Sequence, residues 1–192
     1  MPRPQSAEYP LRREAIIEQA AELFAARGFL GASMADLAAA CGASKSLLYH
    51  YFPAKEDILY EIMRSHLEAL EAAAAGAGGG DRLTALFAAW LALYAGARAR
   101  HVVLLNGLCF LSEARRAEIV ARQRGLIAEL EAALLQVRPD WAGEPPRLRA
   151  AAMLAFGMIN WTHTWFRAEG PLDPQALAEL AAAMVLEGVR RA

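Results

Sequence analysis

The sequence predicts an all-α protein, and three observations carry that prediction. Apolar residues recur with helical spacing along the chain, and no segment alternates apolar with polar residues as a strand would. Alanine, the best helix former, is abundant. Gly, Pro and Ser, which end or cap helices, stand between the apolar stretches. We therefore predict an all-α fold with an N-terminal three-helix helix-turn-helix domain and a larger helical domain behind it.

The first two helices are predicted from their apolar stripes and their ends. Residues 12–27 carry one apolar stripe that stops at Gly28, a good C-terminal cap. Ser33 and Asp36 have the spacing of a capping box, in which the hydroxyl accepts a backbone N–H and the acid reaches back to the cap. The second helix then ends at Gly42.

The third helix follows after a very short turn. Ser44 can cap it, and it ends near Phe52 because Pro53 is disfavoured inside a helix. Two short helices joined by a glycine-containing turn form a helix-turn-helix. Lys55 then begins a long helix that is predicted to run to about residue 75 and to connect the two domains.

The rest of the chain is predicted to be helical as well. Glycines at residues 76–80 interrupt the pattern, because glycine is costly inside a helix. Behind this joint we predict helices at about 82–98, 100–113, 114–137, 146–168 and 174–190. The predicted organisation is a flexible arm at residues 1–10, the helix-turn-helix domain at 11–60 and a second domain at 81–192.

Composition narrows the class of protein. The net charge is −1, and the first 68 residues hold more acidic than basic groups, so any nucleic-acid contact depends on locally placed charges. No segment reads as a membrane span or a signal peptide, which predicts a cytoplasmic protein. Cys41 and Cys109 are predicted to be buried thiols in a reducing compartment. No spacing suggests a metal site, and no cofactor is predicted.

The third helix is the candidate contact surface for DNA. The two lysines of the chain, Lys45 and Lys55, bracket an aromatic-rich stretch, and a compact ammonium group suits a phosphate or a guanine edge. Such a helix enters the major groove of DNA, and Leu48 and Phe52 would face inward. The residues predicted to contact DNA are Ser33, Ser44, Lys45, Ser46, Leu47, Tyr49, His50, Tyr51 and Lys55.

Several of these residues have a second interpretation. Tyr49 and Tyr51 could pack between helices, and His50 could be exposed without a partner. The serines are helix caps first, whatever else their hydroxyl groups contact. Leu47 is either partly buried or a contact to a thymine methyl group.

The span from Arg12 to Met63 resembles the DNA-binding domain of TetR-family transcriptional regulators. The matching motifs are Ala20-x-x-Leu23-Phe24, Gly28-Phe29, Ser33-x-x-Asp36-Leu37-Ala38, Gly42-x-Ser44-x-x-x-Leu48-Tyr49-His50-Tyr51-Phe52 and Lys55-Glu56-x-Ile58-Leu59. The resemblance implies an all-α homodimer with one recognition helix per subunit and a helical ligand-binding and dimerisation domain. It also implies DNA contacts by Ser33, Lys45, Ser46, Tyr49, His50, Tyr51 and Lys55. The chain departs from the family at Ala32, often a threonine, and at Leu47, often a small or polar residue.

The second domain carries the candidate effector site. Polar groups that converge on apolar walls are typical of a ligand pocket, and the segment 156–167 is rich in both. The residues predicted to bind the ligand are Trp90, Tyr94, Asn106, Phe110, Asn160, Trp161, His163, Thr164, Trp165 and Arg167. Aromatic side chains at helical spacing could instead be core, His163 could be a structural residue, and the tryptophans could form a dimer seam. The last helix has an apolar stripe with small residues that suits a subunit interface.

A second resemblance concerns the nature of the effector. The order Asn160-Trp161-x-x-x-Trp165-Phe166-Arg167-x-x-Gly170-Pro171-Leu172 is similar to the C-terminal part of TetR-type regulators of fatty acid, phenylacetate or steroid catabolism. Such proteins commonly respond to acyl-CoA thioesters. The resemblance implies that aromatic side chains line the acyl part and that phosphates meet basic residues, with Arg98, Arg100, His101 and Arg167 as candidates.

The sequence therefore predicts a homodimeric, ligand-responsive repressor that binds operator DNA and is not an enzyme. Its two recognition helices would lie about one DNA turn apart, roughly 34 Å. The alternatives within the class are an activator and a repressor of an efflux pump that responds to hydrophobic drugs or dyes. No nucleophile elbow, P-loop or metal spacing favours an enzyme. A purely structural adaptor would not need the two lysines where they stand.

Overall fold

A computed structural model describes residues 8–78 and 80–191 of the chain. Its α-helices are α1 (Glu8–Arg27), α2 (Met34–Ala40), α3 (Lys45–Tyr51), α4 (Lys55–Gly76), α5 (Arg82–Gly96), α6 (Arg98–Asn106), α7 (Glu113–Val137), α8 (Pro145–Asn160), α9 (Thr162–Trp165) and α10 (Pro174–Arg191). Short 3-10 turns occupy Leu108–Phe110 and Pro139–Gly143. No strand occurs within the described ranges, and the predicted all-α class is confirmed.

The chain forms two compact units. The first comprises residues 1–66, of which 8–66 are described, together with 99–119. Its core is built from α1 to α4, where Ile17, Leu37, Leu48, Ile58 and Ile62 are almost completely buried. Burying an aliphatic side chain contributes about 1.5–3 kcal/mol. The single buried leucine of α3 therefore fixes which side of that short helix faces solvent.

The second unit comprises residues 67–98 and 120–192, described up to 191 and without residue 79. Helix α5 packs along α10, and α8 contacts α10 as well. Trp90 lies fully buried in α5, and its indole N–H donates to the carbonyl oxygen of Leu70 at 3.1 Å. Its ring meets Phe156 of α8 edge-on, with 5.9 Å between ring centroids. The tryptophan is thus a core residue with a satisfied donor.

The helix ends of the helix-turn-helix confirm the local signals in the sequence. Ser33 accepts from the backbone N–H of Asp36 at 3.2 Å, and the Asp36 carboxylate accepts from the backbone N–H of Ser33 at 2.8 Å. The hydroxyl of Ser33 and then its backbone N–H, which both donate to the Asp36 carboxylate, hold the pKa of Asp36 below its usual range. Gly28 and Gly42 both have positive φ, 72° and 57°, which residues with a Cβ rarely adopt. The turns on either side of α2 therefore depend on glycine.

Two boundaries differ from the prediction. Helix α1 begins at Glu8, inside the segment predicted as an arm, while residues 1–7 lie outside the described part of the chain. The single helix predicted at 146–168 ends at Asn160. After Trp161, three successive side chains donate to backbone carbonyl oxygens three residues earlier. Thr162 donates to Ile159, Nδ1 of His163 to Asn160, and Thr164 to Trp161, at 2.6–2.8 Å. Such bonds compete with continued helix.

The grouping of α6 also differs from the prediction. The sequence suggests that residues 99–119 belong to the effector domain, whereas they pack into the first unit. The reason is visible at Gly107, where a Cβ would lie 2.9 Å from a methyl carbon of Leu59. The end of α6 is seated directly against α4. Cys109, predicted to be buried, is exposed at this position, and Cys41 is half-buried.

No helix among the described residues is long and apolar enough to cross a membrane.

A buried histidine pair joins α4 to α6 inside the first unit. Nε2 of His66 and Nδ1 of His101 are 3.3 Å apart, and each residue is 1 % exposed. Burial lowers the pKa of His66 to about 4, and the charge of Arg100 contributes to the shift. Both effects disfavour a proton on His66 in the folded state.

We expect this pair to make stability depend on pH between 6.5 and 4. Above pH 6.5, His66 is neutral in both the folded and the unfolded state. Below pH 6.5, the unfolded chain binds a proton at His66 that the folded chain excludes until about pH 4. The free energy of unfolding therefore falls across this range, by on the order of 3 kcal/mol. Denaturant unfolding across this range tests the expectation. His66→Gln should flatten the dependence, and His163→Gln should leave it unchanged. An identical pH slope in wild type and His66→Gln would contradict it.

Candidate DNA-binding surface and effector cavity

Helix α3 presents a polar side to solvent, as the sequence predicts. Lys45, Ser46, Tyr49 and His50 are all exposed, and Leu48 on the opposite side is fully buried. No group within residues 8–78 and 80–191 pairs with the ammonium of Lys45. These four side chains are therefore available to a partner without the loss of any described hydrogen bond.

The two capping serines differ in what their hydroxyl groups can still do. The hydroxyl of Ser33 donates to the carboxylate of Asp36 at 2.5 Å, so its proton is already committed. The hydroxyl of Ser44 accepts from the N–H of Leu47 at 3.1 Å, and no described residue accepts its proton. Ser44 can cap its helix and donate to a phosphate at the same time, whereas Ser33 has to give up one bond first.

Tyr51 and Leu47 are partly occupied by packing. The ring of Tyr51 stacks on Tyr9 of α1 with 4.5 Å between centroids, and Tyr9 also meets His50 edge-on at 6.1 Å. Leu47 is half-buried beside Arg12 of α1. The packing interpretation thus describes Tyr51 and, in part, Leu47, while Tyr49 remains 48 % exposed.

Lys55 was predicted to contact a DNA phosphate, but its ammonium group is hydrogen-bonded within the first unit. Its ammonium donates to the carbonyl oxygens of Phe29 and Ala32, at 2.7 Å each, and lies 4.2 Å above the centre of the Phe29 ring. We call this arrangement the Lys55 hook. It ties the first residue of α4 to the loop between α1 and α2. The sequence gives no signal for it, because the acceptors are backbone atoms more than twenty residues away.

The second unit contains a cavity of about 210 Å³ between α5, α9 and the segment after α9. Its lining residues are Tyr94, Ala95, Arg98, Thr162, His163, Phe166, Arg167, Ala168 and Glu169. Three predicted ligand residues, Tyr94, His163 and Arg167, therefore come together here. Phe166 and Glu169 were missed, although Phe166 lies within the aromatic segment that drew attention to this region.

Hydrogen bonds fix the inner wall of this cavity. The hydroxyl of Tyr94 donates to Oδ1 of Asn160 at 2.9 Å, and burial raises the pKa of that hydroxyl. Nε of Arg98 donates to the carbonyl oxygen of His163 at 3.1 Å. The guanidinium groups of Arg98 and Arg167 belong to exposed residues. The cavity lining combines apolar side chains and hydrogen-bonded polar groups with two guanidinium groups and one carboxylate, that of Glu169.

The remaining predicted ligand residues lie elsewhere. Trp90 is core, and Asn106 and Phe110 line a separate cavity of the first unit. Trp161 and Trp165 are 65 % and 54 % exposed, and Thr164 is exposed too. None of these six lines the cavity of the second unit.

Arg100 and His101, two of the residues predicted to meet phosphates of the effector, have partners within the first unit instead. Arg100 forms ion pairs with Glu14 and, at 2.7 Å, with Glu18 of α1. His101 is buried against His66. The acidic pair four residues apart on α1 is a sequence signal for a basic partner, but nothing in the sequence identifies that partner.

Within the described part of the chain, six large apolar side chains are exposed on α8, on the segment after it and on α10. These side chains, which we call the apolar face, are Met153, Leu154, Trp161, Trp165, Leu180 and Met184, all between 48 % and 77 % exposed. Exposed apolar surface of this extent marks interaction sites. Of the predicted stripe on the last helix, Leu177 and Ala181 are buried inside the unit instead.

No cluster of three or more metal-ligating side chains occurs among the described residues.

Comparison with known proteins identifies the family. The family described as "Bacterial regulatory proteins, tetR family" matches residues 16–62, and "Tetracyclin repressor-like, C-terminal domain" matches residues 76–189. A TetR-family transcriptional regulator from Bordetella parapertussis 12822 is 42 % identical, with a TM-score of 0.88 over 91 % of this chain and 94 % of that chain.

Two further proteins resemble most of the chain. The structure of AibR in complex with isovaleryl coenzyme A and operator DNA is 30 % identical, with a TM-score of 0.78 over 90 % of this chain and 97 % of that chain. The HTH-type transcriptional repressor KstR2 of Mycobacterium tuberculosis (strain ATCC 25618 / H37Rv) is 26 % identical over 187 residues, 94 % of each chain. The resemblance seen in the sequence is confirmed: the chain belongs to the TetR family of bacterial DNA-binding transcriptional regulators.

Proposed function

We propose that the protein is a homodimeric repressor that binds operator DNA through α3 and leaves it when an acyl-CoA thioester binds. The observation that carries the proposal is the exposed side of α3. There the ammonium, hydroxyl and imidazole groups of α3 are accessible to solvent, while Leu48 on the opposite side is buried. A regulator of bacterial DNA works in the cytoplasm, which is where we place it.

The DNA contacts divide into two kinds. Lys45 and Ser46, at the start of α3, are placed to meet base edges, and a lysine can donate to O6 and N7 of guanine. Ser44, Tyr49 and His50 can donate to phosphates, which position the helix without reading sequence. Because the first third of the chain is net acidic, affinity depends on these few contacts and on two copies of them.

The apolar face is the proposed subunit interface. Leu180 and Met184 are one helical turn apart on α10, and Leu154 lies on α8, which packs against α10. A second copy presenting the same face would bury these side chains by twofold symmetry, the usual arrangement of a homodimer. Trp161 and Trp165 adjoin the face and are suited to interface hot spots.

The effector cavity fits one end of an acyl-CoA. About 210 Å³ is less than the volume of pockets that enclose a whole drug-sized ligand, so the acyl end would enter beside Tyr94 and Phe166. Arg98 and Arg167 at the edge would meet phosphates of the nucleotide part. AibR, which resembles this chain over most of its length, was crystallised with isovaleryl coenzyme A and operator DNA, and this supports the proposed effector class.

Release from DNA follows from a difference in affinity. An effector lowers DNA binding only if it binds the DNA-free arrangement more tightly than the DNA-bound one. Helices α4 and α7 each contribute residues to both units, and such a preference can pass along them.

Calorimetry with a panel of acyl-CoA thioesters, isovaleryl-CoA among them, tests the effector. We expect at least one to bind with micromolar affinity or better, and Arg98→Gln with Arg167→Gln to weaken it by tenfold or more, since charged hydrogen bonds contribute about 1.5–3 kcal/mol. Arg124→Gln, an exposed arginine of α7, is the matched control.

The alternative effector is a hydrophobic drug or dye of an efflux system. Among the residues that line the cavity, the two guanidinium groups outnumber the single carboxylate of Glu169, which favours an anionic acyl-CoA over a cationic dye. Binding of cationic dyes in the same calorimeter, with no acyl-CoA of the panel binding, would reverse this choice.

A further inference from the structure

The first unit contains a cavity that neither the DNA surface nor the proposed effector site uses. It holds about 270 Å³ and lies between the end of α1 with its following loop, the start of α4 and the end of α6. Phe24, Phe29, Leu59 and Val103 contribute to apolar walls. All residues that line it belong to this unit.

Aromatic contacts give the cavity a defined shape. Phe29 meets Phe24 edge-on with 5.4 Å between centroids, and it stacks on Phe110 at 5.0 Å with 28° between the rings. The floor is set by Gly107, where an added Cβ would lie 2.8 Å from the carbonyl oxygen of Val103. Phe29 is thus held in place by its neighbours, and aromatic side chains form part of the cavity wall against which an aromatic guest can pack.

The polar groups at the cavity are a cation and an amide. Arg27 is 59 % exposed, and its nearest carboxylate, Asp36, is 3.9 Å away, which is a weak pair. The side-chain amide N–H of Asn106 donates to the carbonyl oxygen of Val102 at 2.9 Å. A guest with a negative end complements Arg27 and would displace only that long ion pair.

We propose that this cavity binds a small aromatic carboxylate, a single ring with its acid attached directly or through a short arm. An apolar cavity of about 150 Å³ already holds benzene, so 270 Å³ takes one ring and a small substituent. The ring packs against Phe24, Leu59 and Val103, which line the cavity, and the carboxylate points toward Arg27.

The position of the cavity gives such a ligand a route to DNA binding. Phe29, one wall of the cavity, supplies both the ring and one carbonyl of the Lys55 hook. The other carbonyl belongs to Ala32, the residue before the cap of α2. A guest that packs against Phe29 stabilises the loop that starts the helix-turn-helix, independently of the effector cavity in the second unit.

Binding of benzoate to the full chain tests the proposal, with benzyl alcohol as the uncharged counterpart. We expect benzoate to bind, with nuclear Overhauser contacts from its ring protons to the methyl groups of Leu59, Val102 and Val103. Val102→Phe, which fills the cavity from a half-exposed position, should weaken both compounds more than tenfold. Arg27→Gln should weaken benzoate about tenfold and leave benzyl alcohol unchanged, and Arg124→Gln should affect neither.

Three results would overturn it. The first is no binding of benzoate. The second is contacts confined to methyl groups of the second unit, such as those of Leu83 and Leu91. The third is benzoate affinity that is unchanged in both Val102→Phe and Arg27→Gln. An acyl-CoA that binds the second unit would leave each of these results interpretable, because the two sites share no residue.

Discussion

Replacing Lys55 by methionine is expected to lower the free energy of unfolding by about 2–4 kcal/mol. The change removes two charged hydrogen bonds, each contributing about 1.5–3 kcal/mol, and leaves the carbonyl oxygens of Phe29 and Ala32 without their donor. Methionine keeps most of the apolar stem, so the loss reports on the ammonium. Denaturant unfolding followed by circular dichroism measures it.

Lys45→Met is the matched control, because it removes the other lysine from an exposed position of α3. Its stability should stay within about 0.5 kcal/mol of wild type. Its affinity for operator DNA should fall, and the salt dependence of binding should become shallower as phosphate or base contacts are lost. If Lys55→Met unfolded like wild type and behaved like Lys45→Met on DNA, Lys55 would be a DNA contact and the hook would carry no stability.

For the proposed homodimer, whose interface is the apolar face, Leu154→Glu is expected to convert the dimer to a monomer. A carboxylate at the centre of a closely packed apolar interface is buried without a partner in both copies at once. Operator affinity should then fall by about 100-fold or more, because the second recognition helix no longer binds as part of the same molecule. Sedimentation velocity gives the assembly state, and fluorescence anisotropy on operator DNA gives the affinity.

The control is Leu11→Glu, since Leu11 is 73 % exposed and Leu154 is 77 % exposed, but Leu11 lies on α1 of the first unit. It should remain a dimer. Because Leu154 is so exposed, its replacement should not unfold the monomer, which thermal unfolding can verify. A Leu154→Glu protein that sediments as a dimer would move the interface away from the apolar face.

Features that depend on residues close to one another in the sequence could be predicted from it. The caps at Ser33 and Ser44 depend on partners three residues away, and the structure has both. The burial of Leu48 beneath an exposed polar side follows from the 3.6-residue period of α3. The family resemblance rests on these same local motifs, which is why it was visible without a structure.

Features that depend on distant partners could not be predicted. The acceptors of Lys55 are backbone carbonyl oxygens, and because every residue type has one, the sequence does not show which of them Lys55 contacts. Arg100 seemed free to meet phosphates, but its carboxylates stand more than eighty residues earlier, on α1. At the end of α8, three successive side chains donate to backbone carbonyl oxygens three residues earlier, and Trp161 is exposed instead of lining the cavity where it was expected.

The most direct test of the account is fluorescence anisotropy of the full chain on the DNA upstream of its own coding sequence, titrated with the acyl-CoA panel. The account predicts tight binding relative to unrelated DNA, two recognition helices engaged per site, loss of affinity in Lys45→Met, and release by at least one acyl-CoA. Equal affinity for upstream and unrelated DNA, unchanged by Lys45→Met and by every acyl-CoA, would contradict it.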